Sequence, residues 1–211
     1  MTVIFGECHD GRVFLAADTR RRDQVTEQLW IVEKLHRLSD DIIIAQGGAG
    51  TGAGDEMVGR LKSLGPAISL DELVAECTSA GPGIIAAAAK EWAAEGKIIP
   101  PTFVICASHS DNGRGIIKSI NLASGVVAEF PDQFVSGSNT KETVDVLGRL
   151  RGKARGFDEF AISSVAALER AVPHNIGLPV DVGVVRNSAG RWESHISRIG
   201  PQSFFDPIFR F

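Results

Sequence analysis

The feature that most limits the fold of this chain is a β-hairpin whose second strand is apolar on both faces. Residues 3–8 and 12–17 flank Asp10-Gly11, a dipeptide typical of a tight two-residue turn. Residues 13–17 form a nearly continuous apolar run, whereas a half-exposed strand would alternate. A strand of this kind is buried on both faces, so the sequence predicts a sheet that lies between two other layers.

A second hairpin repeats the pattern. Residues 34–38 and 42–46 flank Asp40-Asp41, a weaker turn signal than Asp10-Gly11, and residues 42–45 are again continuously apolar. The two hairpins therefore predict two central sheets, each with a buried inner strand.

Helices and further strands follow the hairpins. We expect one helix over 52–64 and a second that begins at Ser69, where Ser69-Leu70-Asp71-Glu72 forms a capping box. Gly81-Pro82-Gly83 should break or kink that helix before the alanine-rich stretch 84–94. The later expected elements are strands at 102–108, 115–121, 126–129, 133–135, 180–186 and 192–197, and helices at 140–150 and 158–172.

The bulk properties suit one cytoplasmic domain. With 211 residues, a hydrophobic content of 44% and no linker-like break, we expect a single domain over 1–211. A net charge of −4 gives no electrostatic case for nucleic acid or a membrane surface. Cys8, Cys77 and Cys106 are odd in number and far apart, which indicates reduced core residues. We expect no signal peptide, because Glu7 ends the first apolar run. We also expect no metal, since the five histidines show no ligand spacing, and no cofactor.

Counting residues along the hairpins brings several polar groups to the amino terminus. If Asp10-Gly11 is a two-residue turn, Val3 faces Asp18 and Thr2 faces Thr19. The same counting around Asp40-Asp41 places Lys34 opposite Gly47, next to Gly48. Alternation puts the Asp18 side chain on the face of Val3, so Asp18 should touch Lys34 or the terminal amine rather than the Thr2 hydroxyl.

These residue types suit amide hydrolysis. Methionine aminopeptidases remove Met1 before a small residue, and the chain would then begin with the hydroxyl and α-amine of Thr2. Thr2 Oγ would attack a carbonyl and the amine would take its proton. A Lys34 ammonium favours the neutral amine, Asp18 would hold Lys34, and the Gly48 N–H could stabilise the oxyanion.

The residues at these positions also resemble a known family. Thr2, Ala17-Asp18-Thr19-Arg20, Val32-Glu33-Lys34-Leu35 and Gly47-Gly48-Ala49-Gly50 resemble proteasome β-subunits and bacterial HslV-type peptidases, in order and spacing, through about residue 64. Later segments resemble the family more loosely, as Gly137-Ser138-Asn139 does.

The resemblance implies an α+β fold, the four-layer αββα sandwich of the N-terminal-nucleophile hydrolases. It implies a threonine-type endopeptidase with Thr2, Asp18, Lys34 and Gly48 at catalytic positions and Ser138 as a supporting serine. Gln46 falls where the family lines its specificity pocket, with Gly50 and Gly54 below. Apart from the resemblance, the short basic stretch Arg20-Arg21-Arg22, flanked by Asp18 and Asp23, is expected to be a solvated loop unless it lines a substrate channel, and Arg21 is a candidate for substrate binding.

The resemblance also implies an assembly. Stacked double rings of six or seven identical subunits would enclose a chamber for unfolded polypeptides or peptides, and an ATP-dependent unfoldase is left open as a partner. One departure bears on activity: Pro173-His174-Asn175-Ile176-Gly177 lacks the aspartate and serine that support the terminal amine in the family.

Three alternatives compete with the peptidase. A catalytically weak or inactive ring subunit would keep the fold without the chemistry, and an N-terminal-nucleophile amidase would act on a small molecule. Residues 48–53 also satisfy G-x-G-x-x-A, with Asp71 about twenty residues on, as in dinucleotide-binding proteins.

The end of the sequence carries a further expectation. Residues 204–211 are unusually aromatic for a free tail, so we expect this segment to dock on a neighbouring subunit or on its own fold.

Overall fold

The fold is built mainly from antiparallel strands. The computed structural model describes residues 2–9, 11–22, 28–48, 52–137, 140–151, 153–171 and 176–200. Within them lie β1 (Val3–His9), β2 (Arg12–Asp18), β3 (Arg20–Arg22), β4 (Leu29–Ile31), β5 (Leu35–Arg37), β6 (Ile43–Gly47), α1 (Gly52–Ser63), α2 (Leu70–Ala94), β7 (Phe103–His109), β8 (Gly115–Asn121), β9 (Val127–Phe130), β10 (Gln133–Gly137), α3 (Thr140–Arg151), α4 (Phe157–Ala171), β11 (Val180–Ser188) and β12 (Arg191–Ile199).

The strands form two large sheets and one small ribbon. The first sheet has the order β10-β1-β2-β11-β12, the second has the order β5-β6-β7-β8-β9, and β3 pairs with β4 alone. Each sheet contains hairpins of sequential strands joined by short turns, a connection that antiparallel neighbours allow. The pairs β10–β1, β2–β11 and β6–β7 join strands that are distant in sequence.

Side chains of each inner strand point alternately into different cores. Ile44 packs with helices α1 and α2, whereas Ile43 and Ala45 pack with residues of the first sheet. Ala16 faces the helices α3 and α4, and Leu15 faces the second sheet. The prediction that residues 13–17 and 42–45 are buried on both faces is therefore confirmed, with Phe14 only partly buried.

The fold class implied by the family resemblance needs correction. We expected the four-layer αββα sandwich of N-terminal-nucleophile hydrolases. The described residues instead define a mainly antiparallel β structure with four helices, in which the ribbon β3–β4 lies outside both sheets. The strand pairs that the sequence can specify are the local hairpins, and these set an antiparallel architecture without fixing how the layers are arranged.

The first hairpin has the predicted register and the second does not. Ile4 pairs with Ala17 and His9 with Arg12, as a two-residue turn requires. In the second hairpin Leu35 pairs with Ala45, so one more step places Lys34 opposite Gln46 rather than Gly47. The turn contains three residues, Ser39 to Asp41, because the Leu38 amide bonds to the Ile42 carbonyl at 3.0 Å.

Of the break or kink expected in the second helix, the break does not occur. α2 begins at the predicted Ser69 capping box and continues through Gly81-Pro82-Gly83. Pro82 costs the helix about 3 kcal/mol, but each fully buried aliphatic side chain contributes about 1.5–3 kcal/mol. Leu73, Cys77, Ile84 and Ile85 are buried on both sides of Pro82, so tertiary packing keeps the helix continuous.

No helix within the described ranges is both long and apolar enough to cross a bilayer.

Candidate functional site

Thr2 lies half-buried at the open end of the first hairpin, one residue before β1. The next amide, Val3 N–H, donates a hydrogen bond of 2.9 Å to Asp18 Oδ1 at the end of β2. On the other side Val3 pairs with Gly137 of β10, whose backbone lies close to the Thr2 carbonyl. Thr2 is therefore fixed between two strands, one peptide unit away from the Asp18 carboxylate.

Asp18 and Lys34 form a buried ion pair beside Thr2. Lys34 Nζ lies 2.9 Å from Asp18 Oδ1 and 3.0 Å from Asp18 Oδ2. The two residues are 0% and 4% exposed, respectively. The expectation that the Asp18 side chain contacts Lys34 is confirmed, because the carboxylate emerges on the face of Val3.

Arg20 completes the environment of the pair through its backbone. Its carbonyl accepts a third hydrogen bond from Lys34 Nζ, at 2.8 Å, and its amide donates to Asp18 Oδ2 at 3.2 Å. An ammonium group has three donors, so every N–H of Lys34 has an acceptor. This arrangement fixes the side-chain position of Lys34.

Burial shifts both titrating groups of the pair. Desolvation lowers the pKa of Lys34, and the Asp18 carboxylate opposes this by favouring the ammonium. Desolvation raises the pKa of Asp18, and Lys34 together with the Val3 N–H opposes that shift. The positive charge of Arg21 lowers the pKa of Lys34 further.

A second buried carboxylate lies near Lys34. Asp181 of β11 is 2% exposed, and its negative charge raises the pKa of Lys34. Its direct partner is Arg198 of β12, with Nε at 2.7 Å and Nη2 at 3.0 Å. Arg198 Nη2 also donates to the Val32 carbonyl, at 3.4 Å, two residues before Lys34. The Arg198–Asp181 pair therefore ties β11 and β12 to the segment that carries Lys34.

The Arg20 side chain reaches a distant helix, which the sequence did not indicate. Its Nη2 lies 2.5 Å from Glu169 Oε1 of α4, and its Nη1 donates to the Ile176 carbonyl at 3.4 Å. A Cβ at Gly177 would collide with this guanidinium. The expectation of a solvated loop over Arg20-Arg21-Arg22 is therefore wrong for Arg20. The partner lies 149 residues away, so no local pattern could have revealed it.

Gly48 has a backbone that other residues rarely adopt. Its φ is +123°, and a Cβ there would lie 2.7 Å from the Pro101 carbonyl oxygen. Gly48 follows β6 and is exposed, so its amide is at the surface near the strand end that carries Gln46.

Gln46 belongs to a separate polar group. Gln46 Nε2 donates to Asp55 Oδ1 of α1 at 2.7 Å, and Asp55 is 3.5 Å from Arg21 Nη1. Gln46 Oε1 is buried and has no hydrogen-bond partner within the described part of the chain. Gly54 makes room for it, since a Cβ there would be 2.8 Å from Gln46 Oε1. Arg21, Gln46 and Gly54 therefore do lie together, through Asp55.

Other expected site residues lie outside the described ranges. These are Ser138, Gly50 and most of the stretch before the late strand, residues 173–175. Ser138 directly follows Gly137, the partner of Val3, so its role stays a prediction. In the described residues no three His, Cys, Asp or Glu side chains are grouped as metal ligands would be. The three cysteines are free, and burial raises the pKa of Cys106 to about 12.

Two solved structures share the fold of this chain. The Anbu (Gly-1) mutant from Hyphomicrobium sp. strain MC1 is 17% identical, with a TM-score of 0.69, over 97% of this chain and 90% of that chain. Anbu (ancestral beta-subunit) from Yersinia bercovieri is 14% identical, with a TM-score of 0.67, over 97% and 89%. No protein-family model and no curated protein matches the sequence.

These likenesses correct the family resemblance of the sequence. Thr2, Asp18, Lys34 and Gly48 resemble proteasome β-subunits and HslV-type peptidases, whereas the two solved structures described above, which share the fold over 97% of this chain, are Anbu proteins. At 14–17% identity the likeness establishes the fold alone.

Proposed function

We propose that this chain is a hydrolase that cleaves amide bonds with Thr2 as an amino-terminal nucleophile. The observation that carries the proposal is the buried Lys34–Asp18 ion pair, 2.9 Å between Nζ and Oδ1, held against the amide that follows Thr2. Packing alone favours apolar residues at such a place, because burying two charges costs several kcal/mol per ion. A buried pair beside a hydroxyl that can attack a carbonyl suits catalysis.

The proposed reaction begins once processing makes Thr2 the first residue. Thr2 Oγ attacks the substrate carbonyl and its α-amine takes the hydroxyl proton. The carbon–nitrogen bond of the substrate breaks, the amine returns the proton to the leaving nitrogen, and an ester remains on Thr2. Water then hydrolyses the ester and regenerates the hydroxyl.

The other residues have distinct roles in this proposal. The Lys34 ammonium lowers the pKa of a nearby amine, which keeps that amine neutral and able to accept a proton. Asp18 and the Arg20 carbonyl would hold the Lys34 ammonium in position, since they accept its three hydrogen bonds of 2.8–3.0 Å. The negative charge of Asp18 also favours the charged form of Lys34. Gly48 would donate its exposed amide to the oxyanion, and Gln46, Gly54 and Arg21 would contact the substrate.

We further propose that copies of the chain associate, in stacked rings of six or seven, and act on unfolded polypeptides. The support is an exposed apolar strand: Leu29, Trp30 and Ile31 of β4 are 48%, 53% and 63% exposed. Contiguous apolar surface of this kind marks interaction sites. Sedimentation velocity measures the association directly, and a 22.5 kDa species at all concentrations would contradict it.

A second candidate is a subunit of an assembly that lacks peptidase activity. The shared fold with Anbu (ancestral beta-subunit) from Yersinia bercovieri favours this candidate, because that protein is named as a subunit. The two Anbu structures therefore support a subunit without peptidase activity more directly than they support a peptidase.

One experiment separates the two candidates. The expressed protein is treated with a peptide epoxyketone, which needs both a free α-amine and a hydroxyl on one residue, and its intact mass is measured. The hydrolase predicts loss of Met1 and an adduct of one inhibitor per chain, absent in Thr2→Ala and strongly reduced in Lys34→Met. Thr26 and Thr51 supply threonine controls, since Thr51→Ala should leave the adduct unchanged. Retained Met1 without an adduct would rule out the hydrolase.

A further inference from the structure

A small apolar cavity lies away from the Thr2 site. It occupies about 110 Å³ between β1 and β10 on one side and helices α3 and α4 on the other. Phe5, Phe134, Phe160 and Leu147 are among the residues that line it. An interior cavity of about 150 Å³ with similar walls accommodates benzene, so this one suits a single aromatic side chain.

The mouth of the cavity is open and charged. Val144 of α3, which lines the cavity, is 48% exposed. Gly148, one turn later, has no heavy atom within 4 Å of a built Cβ, so the wall is open at this position. Arg151 and Glu7 form an ion pair of 2.9 Å beside it, with the Arg151 side chain 41% exposed. The mouth therefore has a guanidinium that is paired with Glu7 but still 41% exposed, next to an apolar cavity.

Residues 204–211, which lie outside the described ranges, carry a matching pattern. Phe204 and Phe205 are followed directly by Asp206. An aromatic ring in the cavity would bring the next side chain to its mouth, where a carboxylate could share the exposed guanidinium of Arg151 with Glu7. The segment thus matches the cavity in size, and Asp206 matches the exposed part of Arg151.

The position of the segment favours a second copy as its source. β12 ends at Ile199, three strands from β1, and α4 packs over the intervening strands β2 and β11. Three strand spacings are about 14 Å, and passing over a helix of about 10 Å diameter adds about 20 Å. Phe205 is five residues beyond Gly200 and reaches at most about 18 Å. It therefore falls short of the cavity in its own chain.

We propose that the cavity binds Phe205 of a second copy of this chain, with Asp206 of that copy against Arg151. The contact buries an aromatic side chain of one copy in the wall between α3 and β10 of the other. It does not depend on the chemistry of Thr2.

The test is disulfide trapping between two differently labelled chains, both full length and in a Cys8→Ser background. One chain carries Val144→Cys at the mouth of the cavity, and the other carries Ser203→Cys, two residues before Phe205. Because each chain has one new cysteine, a disulfide between positions 144 and 203 can form only between copies. Cα atoms must approach to within about 7 Å for it to form. Intact mass and peptide mapping identify the product.

Matched variants make the result decisive. We expect the 144–203 disulfide to form at least about tenfold faster than one between position 203 and Val126→Cys, a ratio equivalent to about 1.4 kcal/mol. Val126 lies elsewhere and is more exposed than Val144, 62% against 48%, so exposure alone would favour the control. Gly148→Leu, which adds a bulky side chain to the wall of the cavity, and Phe205→Ala should each reduce trapping to the control level. Gly59→Leu, on the exposed face of α1, should leave it unchanged. Trapping no faster than the control, or insensitive to Gly148→Leu, would overturn the proposal.

Discussion

Lys34 contacts both carboxylate oxygens of Asp18, at 2.9 and 3.0 Å, while the amide after Thr2 donates to the same carboxylate. One buried side chain thus connects the amino end of the chain to the start of the second sheet. Both the geometry of the site and the stability of the fold therefore depend on Asp18.

Removing the charge of Asp18 should destabilise the protein strongly. In Asp18→Asn the Lys34 ammonium loses its counter-ion while 4% exposed, and we expect a loss of about 3–5 kcal/mol in the free energy of unfolding. Urea denaturation measures it. Asp111→Asn in an exposed turn is the control and should change stability by less than about 0.5 kcal/mol. If Asp18→Asn matched that control, the pair would not contribute to folding.

Gly48 should tolerate alanine worse than Gly113, whose φ is also positive but closer to the left-handed α region and whose Cβ position is open. Gly113 has a φ of +74° and no atom within 4 Å of a built Cβ, so Gly113→Ala pays only backbone strain of about 1–2 kcal/mol. Gly48→Ala adds a contact of 2.7 Å with the Pro101 carbonyl, and we expect a further loss of about 1–3 kcal/mol. Equal urea midpoints for the two variants would show that the loop around Pro101 yields freely.

Stability should fall between neutral and mildly acidic pH because of His36. Burial and the charge of Lys62, whose Nζ lies 3.1 Å from Nδ1, lower the pKa of His36 in the folded protein. The unfolded chain takes up a proton near pH 6.5 while the folded protein does not, so the free energy of unfolding decreases as pH falls from about 7 through the lowered pKa.

The measurement for His36 is urea unfolding at a series of pH values. In His36→Gln the part of the pH dependence just below about pH 6.5 should disappear, while the exposed His195→Gln should retain it. An unchanged slope in His36→Gln would assign the effect to other groups.

The clash at Gly177 should depend on Arg20. Gly177→Ala is expected to displace the guanidinium that Glu169 holds at 2.5 Å and to destabilise the wild type. In an Arg20→Ala background the obstacle is gone, so the same substitution should cost less by about 1 kcal/mol or more. A double-mutant cycle from thermal or urea unfolding measures this coupling. Additive effects of the two substitutions would mean that Arg20 moves aside without cost.

Local patterns predicted most of the helices and strands, and they predicted the part of the site that the first hairpin carries. Asp10-Gly11 fixes a two-residue turn, and counting from it places Val3 against Asp18, as observed. Asp40-Asp41 does not fix the length of its turn. Ser39 Oγ donates to Asp41 Oδ1 at 2.6 Å, and the three-residue turn shifts the pairing by one residue. The prediction of Lys34 beside Gly47 was wrong for this reason, although its contact with Asp18 was anticipated.

Other parts of the site could not be predicted because their partners are remote in sequence. Arg20 meets Glu169 across 149 residues, and Arg198 approaches Val32 across 166. The continuity of α2 through Pro82 likewise depends on a core made with strands of the second sheet. These contacts have no periodicity or turn signal along the chain.

The sequence by itself determined the hairpins, the capped start of α2 and the grouping of Thr2 with Asp18, because each follows from backbone preferences or strand alternation over a few residues. Only the tertiary structure decided the register of the second hairpin, the buried partners of Lys34 and the likeness to Anbu rather than to the family first suggested. These features depend on side chains that are remote in sequence and meet only when the sheets and helices pack. Their burial and the charges of their partners therefore cannot be predicted from a local pattern.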